Sequence, residues 1–126
     1  MRNINYLFAF LCIILPISLT LASATEKETV MILELSTGEV KIRLRDDLAP
    51  KHVERIKQLA EQKFYDNIIF HRVIEGFMAQ TGDVKFGNSS SPDFNLSMAG
   101  MGGSDLPDLK QEFSNLPHDR GTLSMA

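Results

Sequence analysis

A single cysteine and no tryptophan occur among the 126 residues. One thiol cannot build a disulfide framework or a multi-cysteine metal site. Basic residues are also in short supply, with 13 Lys+Arg against 16 Asp+Glu and a net charge of -3. No clustered basic run appears, which argues against phosphate recognition and hence against nucleic acid as a partner. Long apolar runs are scarce: the one from Leu7 to Leu21 is shorter than the roughly 20 residues a spanning helix needs. An excess of charge is missing too, and with 44% apolar residues the chain is not compositionally disordered. What remains is one small, soluble domain with no cofactor expected.

The segment Met1 to Ala24 reads as an address. Arg2 is its only charge, an apolar stretch follows, and Ala22-Ser23-Ala24 closes it. A short positive start, an apolar core and an A-x-A end form the pattern of a secretory signal peptide. Pro16 interrupts the apolar run, so cleavage after Ala24 is preferred over a retained anchor. Cys12 then leaves with the peptide. The expected mature domain is 25–126, without a membrane segment, in an exported compartment. A bacterial periplasm is preferred over secretion to the medium.

Val30 to Leu35 is apolar with strand character, Ser36-Thr37-Gly38 is a turn, and Glu39 to Arg45 alternates with Val40, Ile42 and Leu44 on one face. This predicts a β-hairpin. Pro50 suits the first position of a helix, and Val53, Ile56, Leu59 and Ala60 recur at helical spacing, predicting a helix over Pro50 to Gln62. Ile68 to Ile74 and Phe77 to Thr81 read as third and fourth strands around Glu75-Gly76. Gly82 to about Glu112 is rich in Gly, Ser, Asp and Asn; so long a connection is normally functional. Gly121 to Ala126 reads as a fifth strand.

The run Phe70-His71-Arg72-Val73-Ile74-Glu75-Gly76-Phe77-Met78-Ala79-Gln80-Thr81-Gly82-Asp83 resembles the cyclophilin family of peptidyl-prolyl cis-trans isomerases, whose pattern is FHRVIxGFMxQxGD. Phe64-Tyr65-Asp66 and Gly121-Thr122-Leu123-Ser124-Met125-Ala126 agree with flanking pieces of the same family, and Thr37-Gly38 to Pro50 matches its opening hairpin. The likeness spans Val30 to Ala126. It implies a mainly β fold, an antiparallel eight-stranded barrel with flanking helices. About five strands and one helix of that barrel are expected here, because the family's S-Q-F-F segment and later strands follow the S-M-A sequence. Thr81 stands where many members carry Gly.

Rotating an X–Pro bond means breaking amide resonance, a barrier of roughly 18–20 kcal/mol, and uncatalysed exchange takes tens of seconds or longer. No covalent bond breaks, so no nucleophile, metal or redox group is needed. The twisted amide must be held more tightly than either planar form. Its nitrogen regains a lone pair, and a permanently charged guanidinium is a suitable donor to it or to the neighbouring carbonyl. By spacing alone Arg72 is better read as facing solvent or a salt bridge; the resemblance implies that it is catalytic. The resemblance further implies that Phe77 and Met78 face the proline ring, that Gln80 hydrogen-bonds the substrate backbone, and that the backbone of Ala126 contacts substrate. His71 points away from Arg72 by alternation and is expected to be structural. His52 and His118 lack ligand spacing, so no metal is expected. Asn88-Ser89-Ser90 and Asn95-Leu96-Ser97 match glycosylation acceptor triplets, a pattern common by chance.

The implied partners are proline-containing peptides and unfolded exported proteins, and the implied state is a monomer. Two rival readings accompany the isomerase. One is a proline-peptide binding or chaperone module without turnover. The other is an inactive fragment, since an open sheet leaves an unpaired edge.

Overall fold

The computed structural model describes residues 28–126; the signal-peptide reading of Met1 to Ala24 falls outside them. Strands β1 (Thr29–Leu35) and β2 (Gly38–Leu44) pair antiparallel, from Thr29 opposite Leu44 to Leu35 opposite Gly38. That register leaves Ser36 and Thr37 as a two-residue turn. Gly38 takes φ +134, a conformation open to glycine and strained for other residues. Opposed residues share a face. Met31, Leu33, Ile42 and Leu44 therefore lie together and are half-buried or buried. Val30 and Ile32 occupy the other face, opposite Arg43 and Lys41, and stay 50% and 53% exposed.

Helix α1 (Pro50–Glu61) begins on Pro50 and buries Val53 and Leu59. Ala49 supplies no side-chain cap at its start. At its end Lys63 has φ 61 and donates to the carbonyl of Ala60, while Phe64 donates to that of Leu59. This is the Schellman arrangement, with lysine where glycine is usual. Buried apolar side chains are confined to Leu44 at the end of β2 and to Val53 and Leu59 on α1 among the described residues.

A second hairpin follows, β3 (Arg72–Ile74) with β4 (Met78–Gln80). Both strands are shorter than the sequence pattern suggested. Upstream of Arg72 the chain makes a single bridge, Ile68 with Asn88, and Ile69 donates to Gly87 at 3.0 Å. The long connection from Gly82 to Glu112 is irregular, as expected.

The fifth strand is a correction. Gly121 sits in a turn, with Thr122 donating to Asp119, and Thr122 to Ala126 is irregular and exposed. Strand propensity needs a neighbouring backbone to pair with, and none lies beside this segment among the described residues. The described architecture is thus mainly β with one helix, in two separate two-stranded sheets. The described strands do not close into a barrel.

Candidate functional site

The short second hairpin does more for the site than for the fold. Arg72 stands opposite Gln80 and Ile74 opposite Met78. Directly opposed residues present their side chains on the same face, so Arg72, Ile74, Met78 and Gln80 share one face and Val73 and Ala79 the other. The turn Glu75 to Phe77 is closed by the Phe77 amide donating to the Ile74 carbonyl at 3.1 Å. Gly76 takes φ +72 there, a position where a larger residue would be strained. Phe77 is at the tip and 78% exposed; it belongs to the turn and not to the strand. Met78 and Gln80 are half-buried and Arg72 is exposed. No acidic side chain pairs with Arg72 among the described residues, so its guanidinium keeps its donors. A face with a fixed cation, an amide that donates and accepts, a thioether and a nearby phenyl ring can hold an apolar ring beside a polarised backbone.

Ala126 lies in the exposed terminal segment, and no hydrogen bond joins that segment to β3 or β4 among the described residues.

The amide of His71 donates to the Gln80 carbonyl at 3.1 Å, one residue out of step with the Arg72–Gln80 pairing. Its imidazole lies under Gly100, close enough that a Cβ there would sit 2.5 Å from Cδ2. The Nδ1 atom is buried without a hydrogen-bond partner. Thr81, where the family often has Gly, donates its hydroxyl to the Ile69 carbonyl at 2.9 Å.

Sequence reasoning passed over two carboxylates. Asp83 is the most buried polar residue described, at 3% exposure. Its Oδ1 accepts the amides of Lys85 and Phe86 at 3.0 and 2.9 Å, and its Oδ2 those of Gly100 and Gly102 at 2.7 and 3.0 Å. Burial disfavours its charge, but the four N–H donors outweigh that and hold Asp83 below the ordinary carboxylate range. Glu112 closes the far end of the loop. It accepts the amides of Lys51 and His52, each at 3.1 Å, and contacts His52 Nδ1 at 2.7 Å. Here too burial raises the pKa, but the His52 ring and the two backbone amides outweigh it, leaving Glu112 below its usual range. Arg55 adds a bond to the Pro107 carbonyl at 2.9 Å. The available signal was indirect: a glycine-rich loop displays unpaired amides that need an acceptor, and a helix starting Ala49-Pro50 lacks its own cap.

Among the described residues no group of three or more His, Cys, Asp or Glu is placed to hold a metal ion.

Comparison with known proteins decides the family. The family described as cyclophilin type peptidyl-prolyl cis-trans isomerase/CLD matches residues 30–126. The chain belongs to this cyclophilin-type family. A Brucella suis protein named "Probable peptidyl-prolyl cis-trans isomerase" is 54% identical over 105 residues, covering 83% of this chain and 53% of its own. A peptidyl-prolyl cis-trans isomerase of Synechococcus elongatus is 34% identical over 98 residues, covering 78% of this chain and 59% of its own. Peptidyl-prolyl cis-trans isomerase cyp15 of Rhizopus delemar is 39% identical over 115 residues, covering 85% of this chain and 16% of its own. The cyclophilin-type chain thus spans about half the length of the Brucella relative it matches. No solved structure matches it.

Proposed function

We propose that the protein is a peptidyl-prolyl cis-trans isomerase that accelerates rotation of X–Pro bonds in exported proteins during their folding. The observation that carries this reading is the β3–β4 register, which sets Arg72 directly opposite Gln80 with Met78 on the same face. Family membership over residues 30–126 supports it.

In this mechanism the proline ring rests against Met78 and Phe77, and Gln80 grips the flanking backbone through its amide. Arg72 donates to the amide as it twists, an interaction stronger in the twisted state than in either planar state. No proton is transferred, so His71 has no chemical part. The Ala126 backbone is assigned to the site by family resemblance alone. The finer architecture proposed is the family's eight-stranded barrel with flanking helices. The proposed setting is the periplasm, reached by cleavage after Ala24, with a monomeric mature protein.

The test is the rate of cis–trans exchange of a proline peptide catalysed by the full-length gene product. Arg72→Ala is expected to lower turnover by about 10²–10³-fold, the loss typical of removing one transition-state donor, while peptide binding persists. Full turnover in that variant would remove Arg72 from the mechanism. Peptide binding without accelerated exchange in the unmodified protein would instead establish a binding module.

A further inference from the structure

We propose that Asp83 is a positioning residue for Arg72, acting through Gly100 and His71. This rests on the isomerase reading and adds to it the part that fixes the catalytic hairpin. Asp83 lies three residues beyond Gln80 and is the one buried polar residue among the described residues, at 3% exposure. Its two oxygens do different jobs. Oδ1 accepts the amides of Lys85 and Phe86, a local turn. Oδ2 reaches across the loop to the amides of Gly100 and Gly102.

That second pair of bonds has a consequence at Arg72. Gly100 is held so close to the His71 imidazole that its own hydrogen occupies the only space between them. The imidazole is thereby trapped, with Nδ1 sealed from solvent and unpartnered. His71 immediately precedes Arg72, and its amide bonds the carbonyl of Gln80. The pedestal of Asp83, Gly100 and His71 therefore joins the hairpin at the residue before Arg72, and sets how β3 and β4 present Arg72 and Gln80. The glycines are required by space: a Cβ on Gly102 would meet Asp83 Oδ1 at 2.9 Å and Phe86 at 2.7 Å. A displacement of catalytic groups by about 1 Å can cost 10²-fold in rate, so a small relaxation of this pedestal suffices to be read kinetically.

The discriminating variant is Asp83→Asn. With its Oδ1 retained toward Lys85 and Phe86, the new NH₂ group faces the Gly100 and Gly102 amides, donor against donor. The loop lifts while the local turn survives. In the full-length protein we expect kcat to fall about tenfold or more, the KM for a proline peptide to change less than about twofold, and the Arg72 Nε–Hε signal in a nitrogen-correlated spectrum to shift or broaden. His71→Ala, which empties the pedestal with the Asp83 bonds in place, should reproduce the kcat loss. The double variant should be no slower than the worse single, the mark of two residues acting in one chain. If Asp83→Asn does not fold, the His71→Ala result decides: unchanged kcat and an unmoved Arg72 signal overturn the proposal. Full kcat in a folded Asp83→Asn, or losses that multiply in the double variant, also overturn it. Arg72→Ala assayed alongside separates the two levels. If it retains turnover the isomerase assignment of Arg72 fails, whereas if it loses turnover and Asp83→Asn does not, the pedestal alone fails.

Discussion

Three carboxylates with lowered pKa values make the molecule sensitive to acid, residue by residue. Asp83 and Glu112 are held down by N–H donors against the opposing effect of burial, and Asp47 is lowered first by its hydrogen bonds to Arg45. A carboxylate whose folded pKa is depressed contributes stability above its unfolded pKa, and that contribution is lost as pH falls through the folded value. For Glu112 the starting point is 4.5, so its share is present at neutral pH and disappears below that. Thermal melts of the full-length protein should show wild type losing more stability than Glu112→Gln as pH drops below about 4.5. Parallel curves for the two proteins would mean that Glu112 does not hold the loop on α1. The motif residues themselves were readable from sequence because they are contiguous. The roles of Asp83 and Glu112 were not, since the donors that tie them to distant segments are backbone amides 17 to 61 residues away, and backbone amides carry no sequence signature.

Among the elements, the first hairpin and α1 follow from local chemistry. The strands match the apolar alternation through Leu44, and the helix starts on Pro50 as expected. Its termination holds a correctable strain. Lys63 occupies a left-handed position at φ 61, a conformation that costs a residue with a Cβ about 1–2 kcal/mol. Lys63→Gly should therefore raise stability by roughly 0.5–1 kcal/mol, visible as a higher Tm with unchanged turnover. Leu59, at 6% exposure one of three buried apolar side chains among the described residues, points the other way: Leu59→Ala should cost about 2–3 kcal/mol. Strands 68–74, 77–81 and 121–126 were read too long or wrongly. In each, β propensity extended beyond the residues that found a pairing partner, and pairing is a property of the neighbour as much as of the segment.

At the scale of the whole molecule, apolar surface is unevenly covered. Val30 and Ile32 on β1, Val73 on β3, and Phe113, Leu116 and Leu123 in the last segments are all at least half exposed. Contiguous apolar surface and open strand edges favour association. Residues 28–126 prepared alone are expected to bind a hydrophobic dye and to elute larger than a monomer, and a monomeric elution without dye binding would contradict this. The mainly β character was legible from alternation. The division into two sheets was not, because it depends on which strands find each other across the chain.

Between its two carboxylate anchors the long loop has a stretch held only by its own turns. Ser91 donates to Asn88, Phe94 to Ser91, Met98 to Asn95 and Ala99 to Leu96, and residues 92–99 bond only within 91–101 among the described residues. Lengthening such a stretch changes closure entropy only slowly, about 0.6 kcal/mol for each doubling. This is where the chain can gain or lose residues over evolutionary time, or accept a grafted peptide, without disturbing the hairpin that carries Arg72. The anchors confine the consequences of change to the rim, so the stretch can diversify while the chemistry beside it stays constant.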